Sequence, residues 1–354
     1  MKFEDIAKKY KNFYSPPAYQ IILDGQDILK KYLAEITSVT FEDTREGSDR
    51  FSFTVNDPKL EWLDSKLFEP GKVVEIKMGY LDTLTTMIIG EIISVKPSFP
   101  SNSSPEMEIS GYDLSYQFTR LQERNIWQNK RDSEIVQEKV GSDQIKHKLN
   151  AHITGTDVVR PEIVQDGETD YAFIRKLADR NFYEFFVEKT DLYFRPPKKT
   201  EDPLTLEYHK SLMSFSPELN IANQVSEVSV RGWDPSSKQE IVGKAGGTSS
   251  QNGKTGGGIM KELYGKVEQK VTDCPVYSQS EADALARSTL KKLSVGAVRG
   301  SAESIGMPEI RAGDTILLKG LGKKFSQEYF VESTTHSISS SGYTTTFNVR
   351  GDLA

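Results

Sequence analysis

The sequence of 354 residues contains one cysteine, Cys274, and four histidines. A single cysteine excludes an internal disulfide, and therefore a small disulfide-stapled scaffold, and it also excludes a cysteine-rich zinc or iron–sulfur site. Basic residues do not prevail, since 45 Lys and Arg stand against 51 Asp and Glu. The resulting net charge of −6 argues against a general nucleic-acid binder, which usually carries a basic surface.

Long hydrophobic runs are missing as well. The longest apolar piece lies around Met87–Ile93, where Gly90 and Glu91 interrupt it, and a membrane span needs about 18 apolar residues. The first eleven residues carry charges every few positions, which leaves no apolar segment for an export signal. We therefore expect a protein that folds in the cytoplasm. At about 100–200 residues per domain, the length predicts two or three domains.

Residues 18–118 show the alternation of apolar and polar residues that is typical of an antiparallel sheet with one wet face. Turn residues such as Asp24-Gly25-Gln26-Asp27 separate the strand-like runs. The pattern predicts a small antiparallel β-barrel, preceded by an N-terminal arm at residues 1–17. The predicted strands are Tyr19–Leu23, Ile36–Glu42, Phe51–Val55, Val73–Met78, Thr86–Val95 and Glu106–Gly111.

Residues 119–204 change in character and predict an α+β domain. A short helix is expected to begin at Ser133, as its N-cap, and to end before Gly141. A stronger helix runs from Thr169 to Asn181, because its apolar residues recur on one face. Two strands are predicted after it, at Phe182–Glu188 and Asp191–Arg195.

Strand-like sequence then returns and predicts a second barrel. Its start is assigned to residues 205–235, which include the run Val225–Asp234, and its remainder to residues 301–354. Residues 236–300 form an insertion with a flexible glycine-rich loop at 243–258 and a helix at 278–293 capped by Ser278 or Ser280. The fold class is therefore mainly β, with two similar small antiparallel β-barrels that flank α+β material.

An internal repeat supports the two barrels. Pro70-Gly71 precedes a strand in the first copy, and Ala312-Gly313 precedes one in the second. Each copy closes on a glycine, Gly111 or Gly351, and carries an acidic residue in its middle strand, Glu91 or Glu332. Two homologous barrels explain this pattern, and so do two unrelated hairpins that share common turn and strand preferences.

No motif predicts catalysis, cofactor binding or a metal site, and we assign no residue to these roles. Gly253-Lys254-Thr255 resembles the end of a phosphate-binding loop, but Thr248 stands where that loop needs its first glycine, and no helix is expected after it. His147 and His152 have no third ligand in the sequence, and Cys274 has no partner histidine. We expect these side chains to be surface or packing residues.

The chain resembles the phage late control protein D family, the baseplate hub family of contractile phage tails and related injection particles. It is also similar to the hub portion of type VI secretion spike proteins. The resemblance extends along nearly the whole chain. The matching runs are Trp62–Ser65, Phe68–Gly71, Gly111–Leu114, Gln165–Ala178, Leu192–Pro197, Val230–Asp234 and Gly342–Phe347.

This resemblance implies a structural baseplate hub that is not an enzyme and needs no cofactor. It implies a homotrimer, in which three chains with two barrels each present six barrels to a hexameric tail tube and so act as a symmetry adaptor. The implied partners are the tail tube or tube-initiator protein, a separate central spike, other baseplate proteins and the tape-measure protein. No sequence-specific nucleic acid or membrane insertion is implied. The implied location is the tail baseplate of a virion, tailocin or toxin injector, assembled in the bacterial cytoplasm.

Two functions from other classes stay open on the residues alone. A tail-associated cell-wall hydrolase needs a positioned acid–base pair or a metal site, and the sequence marks neither. A carbohydrate- or receptor-binding module needs exposed aromatic side chains, for which Trp127 and Trp233 are the candidates.

Overall fold

The structure is a computed structural model of the whole chain. It describes residues 3–13, 15–143, 145–198, 200–234, 238–246, 256–272, 276, 278–294 and 296–351. The chain divides into two compact units. Unit 1 comprises Met1–Lys199, Ser304–Gly313 and Ser333–Thr346, and unit 2 comprises Thr200–Glu303, Asp314–Glu332 and Phe347–Ala354. Cys274 and the stretch 247–255 lie outside the described residues.

Unit 1 contains most of the predicted first barrel and the α+β segment. Its helices are α1 (Phe3–Lys9), α2 (Ile28–Tyr32), α3 (Asp132–Val140) and α4 (Asp170–Asn181), with 3-10 turns at Lys11–Phe13 and Leu114–Thr119. Its strands are β1 (Pro17–Leu23), β2 (Gln26–Asp27), β3 (Glu35–Thr44), β4 (Arg50–Asn56), β5 (Val73–Tyr80), β6 (Thr83–Ser98), β7 (Glu106–Asp113), β8 (Gln122–Arg131), β9 (Asn150–Ile153), β10 (Val159–Thr169), β11 (Glu184–Glu188) and β12 (Asp191–Arg195).

Unit 2 begins after β12, and the last strands of the chain contribute residues to both units. The strands from there on are β13 (Leu204–Glu207), β14 (Leu212–Leu219), β15 (Glu227–Asp234), β16 (Gln239–Gly246), β17 (Glu268–Val271), β18 (Val298–Ile305), β19 (Thr315–Lys319), β20 (Glu328–Ser339) and β21 (Gly342–Gly351). The helices are α5 (Gly256–Tyr264), α6 (Gln279–Ser294) and α7 (Gly322–Phe325).

An antiparallel array forms the β part of unit 1. Its strands follow the order β2-β1-β5-β6-β7-β4-β3, and the Ser333–Ile338 part of β20 pairs with β3. Burial alternates along β4 and β7, so apolar side chains such as Phe51, Phe53 and Ile109 point into the core. The mainly β fold with an α+β insert is therefore confirmed, including the strands predicted in residues 18–118.

The α+β part of unit 1 has its own core. The ribbon of β8 and β10 and the sheet β11-β12-β9 surround α3 and α4. Trp127 stacks on Phe173 at a ring-centroid distance of 5.3 Å, and the indole donates to Glu138. The helix Asp170–Asn181 confirms the prediction from Thr169, whose hydroxyl accepts a hydrogen bond from the Ala172 amide.

The predicted cap of α3 is wrong. The helix begins at Asp132 after Arg131, and Glu134 accepts a hydrogen bond from the Arg131 amide. The Ser133 hydroxyl instead accepts from the amide of Thr156, so it ties the helix to the loop before β10. A serine whose hydroxyl accepts a hydrogen bond from a neighbouring loop no longer caps the helix. Sequence spacing alone does not reveal that the loop competes for this hydroxyl.

Unit 2 departs from the predicted order in one place. Glu227–Asp234 was assigned to the second barrel, but β15 pairs with β16 and β17 in a separate three-stranded sheet. Val228 and Val230 are buried against Ala282 and Ala286 of α6. The helix α6 confirms the one predicted at 278–293, and Ser278 accepts from the Glu281 amide. The apolar face of α6 is buried against β15, which is why β15 lies beside the helix.

The glycine-rich stretch is also shorter than predicted. Strand β16 continues to Gly246, and α5 begins at Gly256, so both ends of 243–258 are regular structure. The expectation that no helix follows Thr255 is therefore wrong. The spacing mismatch with a phosphate-binding loop is unchanged, and the loop itself lies outside the described residues.

The repeat shows a common turn and a different register. Gly71 and Gly313 both adopt the left-handed backbone, at φ 93° and 89°, which favours glycine. Val73 then pairs with Glu91, whereas Thr315 pairs with Phe330. Glu332 is therefore not the counterpart of Glu91, because 18 residues separate the paired positions in the first copy and 15 in the second. Among the two explanations, the shared turn favours homologous copies.

Candidate interaction surface

The outer face of the unit 1 array is the best candidate for a functional surface. In β4, in β7 and from Val39 onward in β3, every second residue is buried, so the residues between them face outward. Many of the outward residues are small and polar, where an exposed sheet more commonly carries long charged side chains. This composition gives a polar face over a core that contains aromatic side chains.

A row of hydroxyl side chains crosses five strands of this face. The pairing register places one residue of each strand directly beside the next, in the order Ser337, Thr40, Ser52, Ser110 and Ser94. Neighbouring strands lie about 4.8 Å apart, so the row extends for about 19 Å. We call this line of five residues the hydroxyl row.

Rows on either side of the hydroxyl row carry compensated charges. On one side Glu42 lies opposite Arg50, and on the other side Glu108 lies opposite Lys96. Ser38 and Thr54 add a side-chain hydrogen bond of 3.1 Å. Opposite charges in cross-strand pairs stabilise the sheet modestly and cancel each other's field. These rows are therefore mainly polar and close to neutral, and the ring of Tyr112 lies beside Arg50.

A buried ion pair lies at the edge of the array. Arg311 Nε donates to Asp43 Oδ2 at 2.5 Å, and the Ala312 amide donates to the same oxygen at 3.1 Å. Burial pushes the pKa of Asp43 up, but the neighbouring Arg311 and Arg45 outweigh it and hold the pKa below its ordinary value. Asp43 therefore stays ionised and fixes the segment that leads into Gly313.

Two further buried carboxyls, Asp49 and Asp113, have no cation as a hydrogen-bond partner among the described residues. Asp49 accepts from the Thr44 amide, and Asp113 accepts from the amides of Asp49 and Ser115. Burial raises the pKa of Asp113 to about 6 and that of Asp49 well above its ordinary value. These carboxyls join the β3–β4 turn to the 3-10 turn that follows β7.

His336 is the most buried of the histidines. Its Nε2 lies 3.0 Å from the Ile310 carbonyl, and its Nδ1 lies 3.0 Å from the hydroxyls of Tyr343 and Thr345. Burial, aided by the charge of Arg311, lowers the pKa of His336 to about 3. The ring is neutral at physiological pH, donates from Nε2 and accepts at Nδ1, which is the arrangement of a packing residue.

Glu91 gathers three basic side chains at the first turn. His147 Nε2 lies 2.7 Å from one carboxylate oxygen, while Lys146 and Arg120 approach the other at 3.0 and 3.3 Å. Lys146 also donates to the Gly71 carbonyl. Burial opposes ionisation, but these partners outweigh it and lower the pKa of Glu91. The sequence marked His147 only as a surface or packing residue, because its partner lies 56 positions away.

The remaining candidates from the sequence divide by burial. Trp127 is buried in the α+β core, whereas Trp233 on β15 is 59% exposed. His152 stacks on Tyr193 and pairs with Asp191 near the surface.

Among the described residues no group of three or more His, Cys, Asp and Glu side chains is placed to hold a metal ion. No helix in the described part of the chain is long and apolar enough to cross a membrane.

A family model described as the Alg8 N-terminal domain matches residues 18–340. The chain belongs to this family. This family is not the late control protein D family that the sequence resembles. No curated protein matches the sequence.

Solved structures share the fold along nearly the whole chain. The 43 kDa tail protein of prophage MuSo2 from Shewanella oneidensis has a TM-score of 0.67 at 14% identity, and the match covers 94% of this chain and 98% of that one. A tail protein from Neisseria meningitidis MC58 has a TM-score of 0.68 at 13% identity, with coverages of 95% and 96%.

A third similar structure comes from Escherichia coli. It is described as a component of the type VI secretion system that is structurally similar to T4 phage tail proteins. Its TM-score is 0.57 at 13% identity, and the match covers 94% of this chain and 76% of that one. At these identities the likeness establishes the β-rich fold, which this chain shares with tail proteins of phages.

Proposed function

We propose that this protein is a structural baseplate hub of a contractile phage tail or a related injection particle. The observation that carries the proposal is the fold, which the tail protein of prophage MuSo2 and the tail protein from Neisseria meningitidis MC58 share over more than nine-tenths of this chain. A likeness over nearly the whole length of both chains argues for the same kind of part rather than for one common module.

The hub is a homotrimer of the late control protein D type in this proposal. Each chain carries two copies of a barrel, marked by the turns at Gly71 and Gly313, and three chains present six copies to a hexameric tail tube. Such a trimer joins the tube to a separate, trimeric central spike. The domain boundaries at 18–118, 119–204 and 301–354 remain part of this proposal, whereas residues 227–234 belong to the separate sheet of β15, β16 and β17 and not to the second barrel.

The hydroxyl row suggests how the hub passes its cargo. A face of serine and threonine with paired charges binds water and offers no large apolar contact. We assign this face to the wall of the central channel, where tape-measure protein or DNA has to slide without sticking. The role is one of geometry and assembly, so the protein acts without catalysis, as a part of the virion or injector that assembles in the bacterial cytoplasm.

The proposal is tested by the mass of the purified chain in solution. Multi-angle light scattering is expected to give three times the mass of one chain, and a ring is expected by electron microscopy when the tube protein of the neighbouring gene is added. As a control, Ser103→Trp in the exposed loop after β6 should change neither the mass nor the ring. A monomer at micromolar concentration that stays monomeric with tube and spike proteins would contradict the hub.

A further inference from the structure

Two arginine side chains of unit 1, Arg45 and Arg195, lie against the same aromatic ring. The guanidinium carbon of Arg45 is 3.7 Å from the centre of the Phe186 ring, and that of Arg195 is 5.5 Å from it. Phe186 stacks in turn on Tyr193, at a ring-centroid distance of 5.0 Å. One aromatic pair therefore holds two positive charges.

Neither guanidinium group has an acceptor. Among the described residues no hydrogen bond and no ion pair within 4.0 Å joins either group to a carboxylate or a carbonyl oxygen. The carboxylates of the surrounding strands are those of Asp43, Glu184 and Glu188. Asp43 instead binds Arg311, and Glu188 lies 3.8 Å from Lys189. The two positive charges thus have no counter-charge of their own.

The Arg45 side chain is held in place before any anion binds. Its guanidinium packs on Phe186 and passes over Gly313, where a Cβ would lie 2.8 Å from Nη2. The Arg175 guanidinium donates to the Arg45 carbonyl. Solvent does not reach Nε of Arg45 or Nε and Nη1 of Arg195. Both side chains are partly exposed, so an anion approaches through the other Nη atoms.

The other turn of the repeat shows which group is missing here. Lys146 Nζ lies 3.6 Å from the position of a Cβ on Gly71, and Glu91 binds this ammonium at 3.0 Å. A basic side chain therefore lies over the left-handed glycine in both copies, but only the first carries a carboxylate. A partly buried cation without a counter-charge is costly, and a carboxylate matches the fork of a guanidinium with two parallel hydrogen bonds.

We propose that Arg45 and Arg195 bind a carboxylate group that comes from outside the chain. Its two oxygens have enough lone pairs to accept hydrogen bonds from both guanidinium groups. The carboxylate belongs either to an acidic side chain of another chain or to a free carboxylic acid, and the same chemistry recognises both. The site lies in unit 1 alone, so it does not depend on the proposed hub.

Thermal unfolding of the purified chain in sodium propionate tests the site, because propionate reproduces the end of a glutamate side chain. At about 0.1 M propionate the midpoint should rise by about 2 °C above that in sodium chloride of the same ionic strength. Arg45→Gln and Arg195→Gln should each lose most of this rise. The control is Arg124→Gln, since Arg124 is 82% exposed and paired with Asp166, and it should keep the rise.

Two results would overturn the site, namely a midpoint that is the same in propionate and chloride, and a rise that both variants keep. Each variant is compared with its own midpoint in chloride, which separates lost binding from lost stability. A rise in phosphate without a rise in propionate would show a site for phosphate groups and overturn the carboxylate.

Light scattering over a dilution series identifies the source of the carboxylate. If a second copy supplies it, the double variant Arg45→Gln with Arg195→Gln should dissociate at an about tenfold higher concentration than the unchanged trimer. If both dissociate at the same concentration while the unchanged chain responds to propionate, the carboxylate comes from outside the trimer. A monomer that responds to propionate would overturn the hub and leave this site intact.

Discussion

The two turns that open the repeat copies are built alike but held differently. Gly71 and Gly313 share a left-handed backbone, and an acidic residue together with a basic one secures each turn. Beside Gly71, Lys146 is more than half exposed and bridges the turn carbonyl to Glu91. Beside Gly313, Arg311 and Asp43 are buried together. The acidic residue is buried in both clamps, but Lys146 is 54% exposed and Arg311 only 19%, so we call the first clamp exposed and the second buried.

The two clamps should contribute differently to the free energy of unfolding. An exposed ion pair contributes little, because water competes for both charges. A buried charge that loses its partner is costly, since nothing replaces its solvation. The same left-handed turn therefore depends more on its clamp beside Gly313 than beside Gly71.

Removal of the buried clamp is expected to have the largest effect. Arg311→Met leaves Asp43 buried without its guanidinium partner and should lower the free energy of unfolding by about 3 kcal/mol. Urea unfolding followed by tryptophan fluorescence measures the change. The double variant Asp43→Asn with Arg311→Met should regain much of the loss, and a double variant that is as unstable as Arg311→Met would refute the role of the unpaired charge.

The closing glycines come next, because both lie against aromatic rings. A Cβ at Gly111 would meet the Glu91 carbonyl oxygen at 2.0 Å and Phe51 at 2.6 Å, whereas at Gly351 the nearest atom is Tyr329 Cδ1 at 2.9 Å. Gly111→Ala should therefore cost about 3 kcal/mol and Gly351→Ala about 1 kcal/mol. Thermal unfolding of both variants checks the order, and equal losses would show that the two copies pack alike.

These contrasts also show what the sequence was able to predict. Alternating runs such as Phe51–Val55 and the capped helix after Thr169 were predictable, because local periodicity and caps depend on near neighbours. The partners of Glu91 and the hydroxyl row depend on register between strands far apart in sequence. Ser133 was misread because a loop 23 residues away competes for its hydroxyl.

The pair Asp49 and Asp113 should impose a pH dependence of opposite sign to that of the buried clamp, because the pKa of Asp43 is lowered and theirs are raised. The folded-state pKa of Asp113, about 6, exceeds the value near 3.9 of an unfolded aspartate. The native state therefore binds more protons between about pH 4 and 6, so this pair's contribution to stability is present at pH 4 and is lost as the pH rises to 6.

Asp113→Asn measures this contribution. Because it removes the titrating carboxyl, the loss of stability between pH 4 and 6 should become smaller than in the unchanged chain. Asp64→Asn, at an exposed position, is the matched control and should keep the full dependence. An Asp113→Asn curve parallel to the control would show that the carboxyl does not hold its proton in the folded state.

The exposed clamp should matter least. Lys146→Met removes one of the three basic partners of Glu91, while His147 and Arg120 remain, so we expect a loss below about 1 kcal/mol. High salt should shrink even this difference, because exposed ion pairs are screened. A loss as large as that of Arg311→Met would mean that depth does not distinguish the two clamps.

We expect this chain to form a trimeric ring with the hydroxyl row on its channel wall. Cryo-electron microscopy of the chain assembled with its tube protein tests it most directly. The account predicts three copies around one axis, with Ser52 and Ser110 facing the lumen. Copies bound singly to the outside of the tube, or a ring whose hydroxyl rows face the solvent outside, would contradict it.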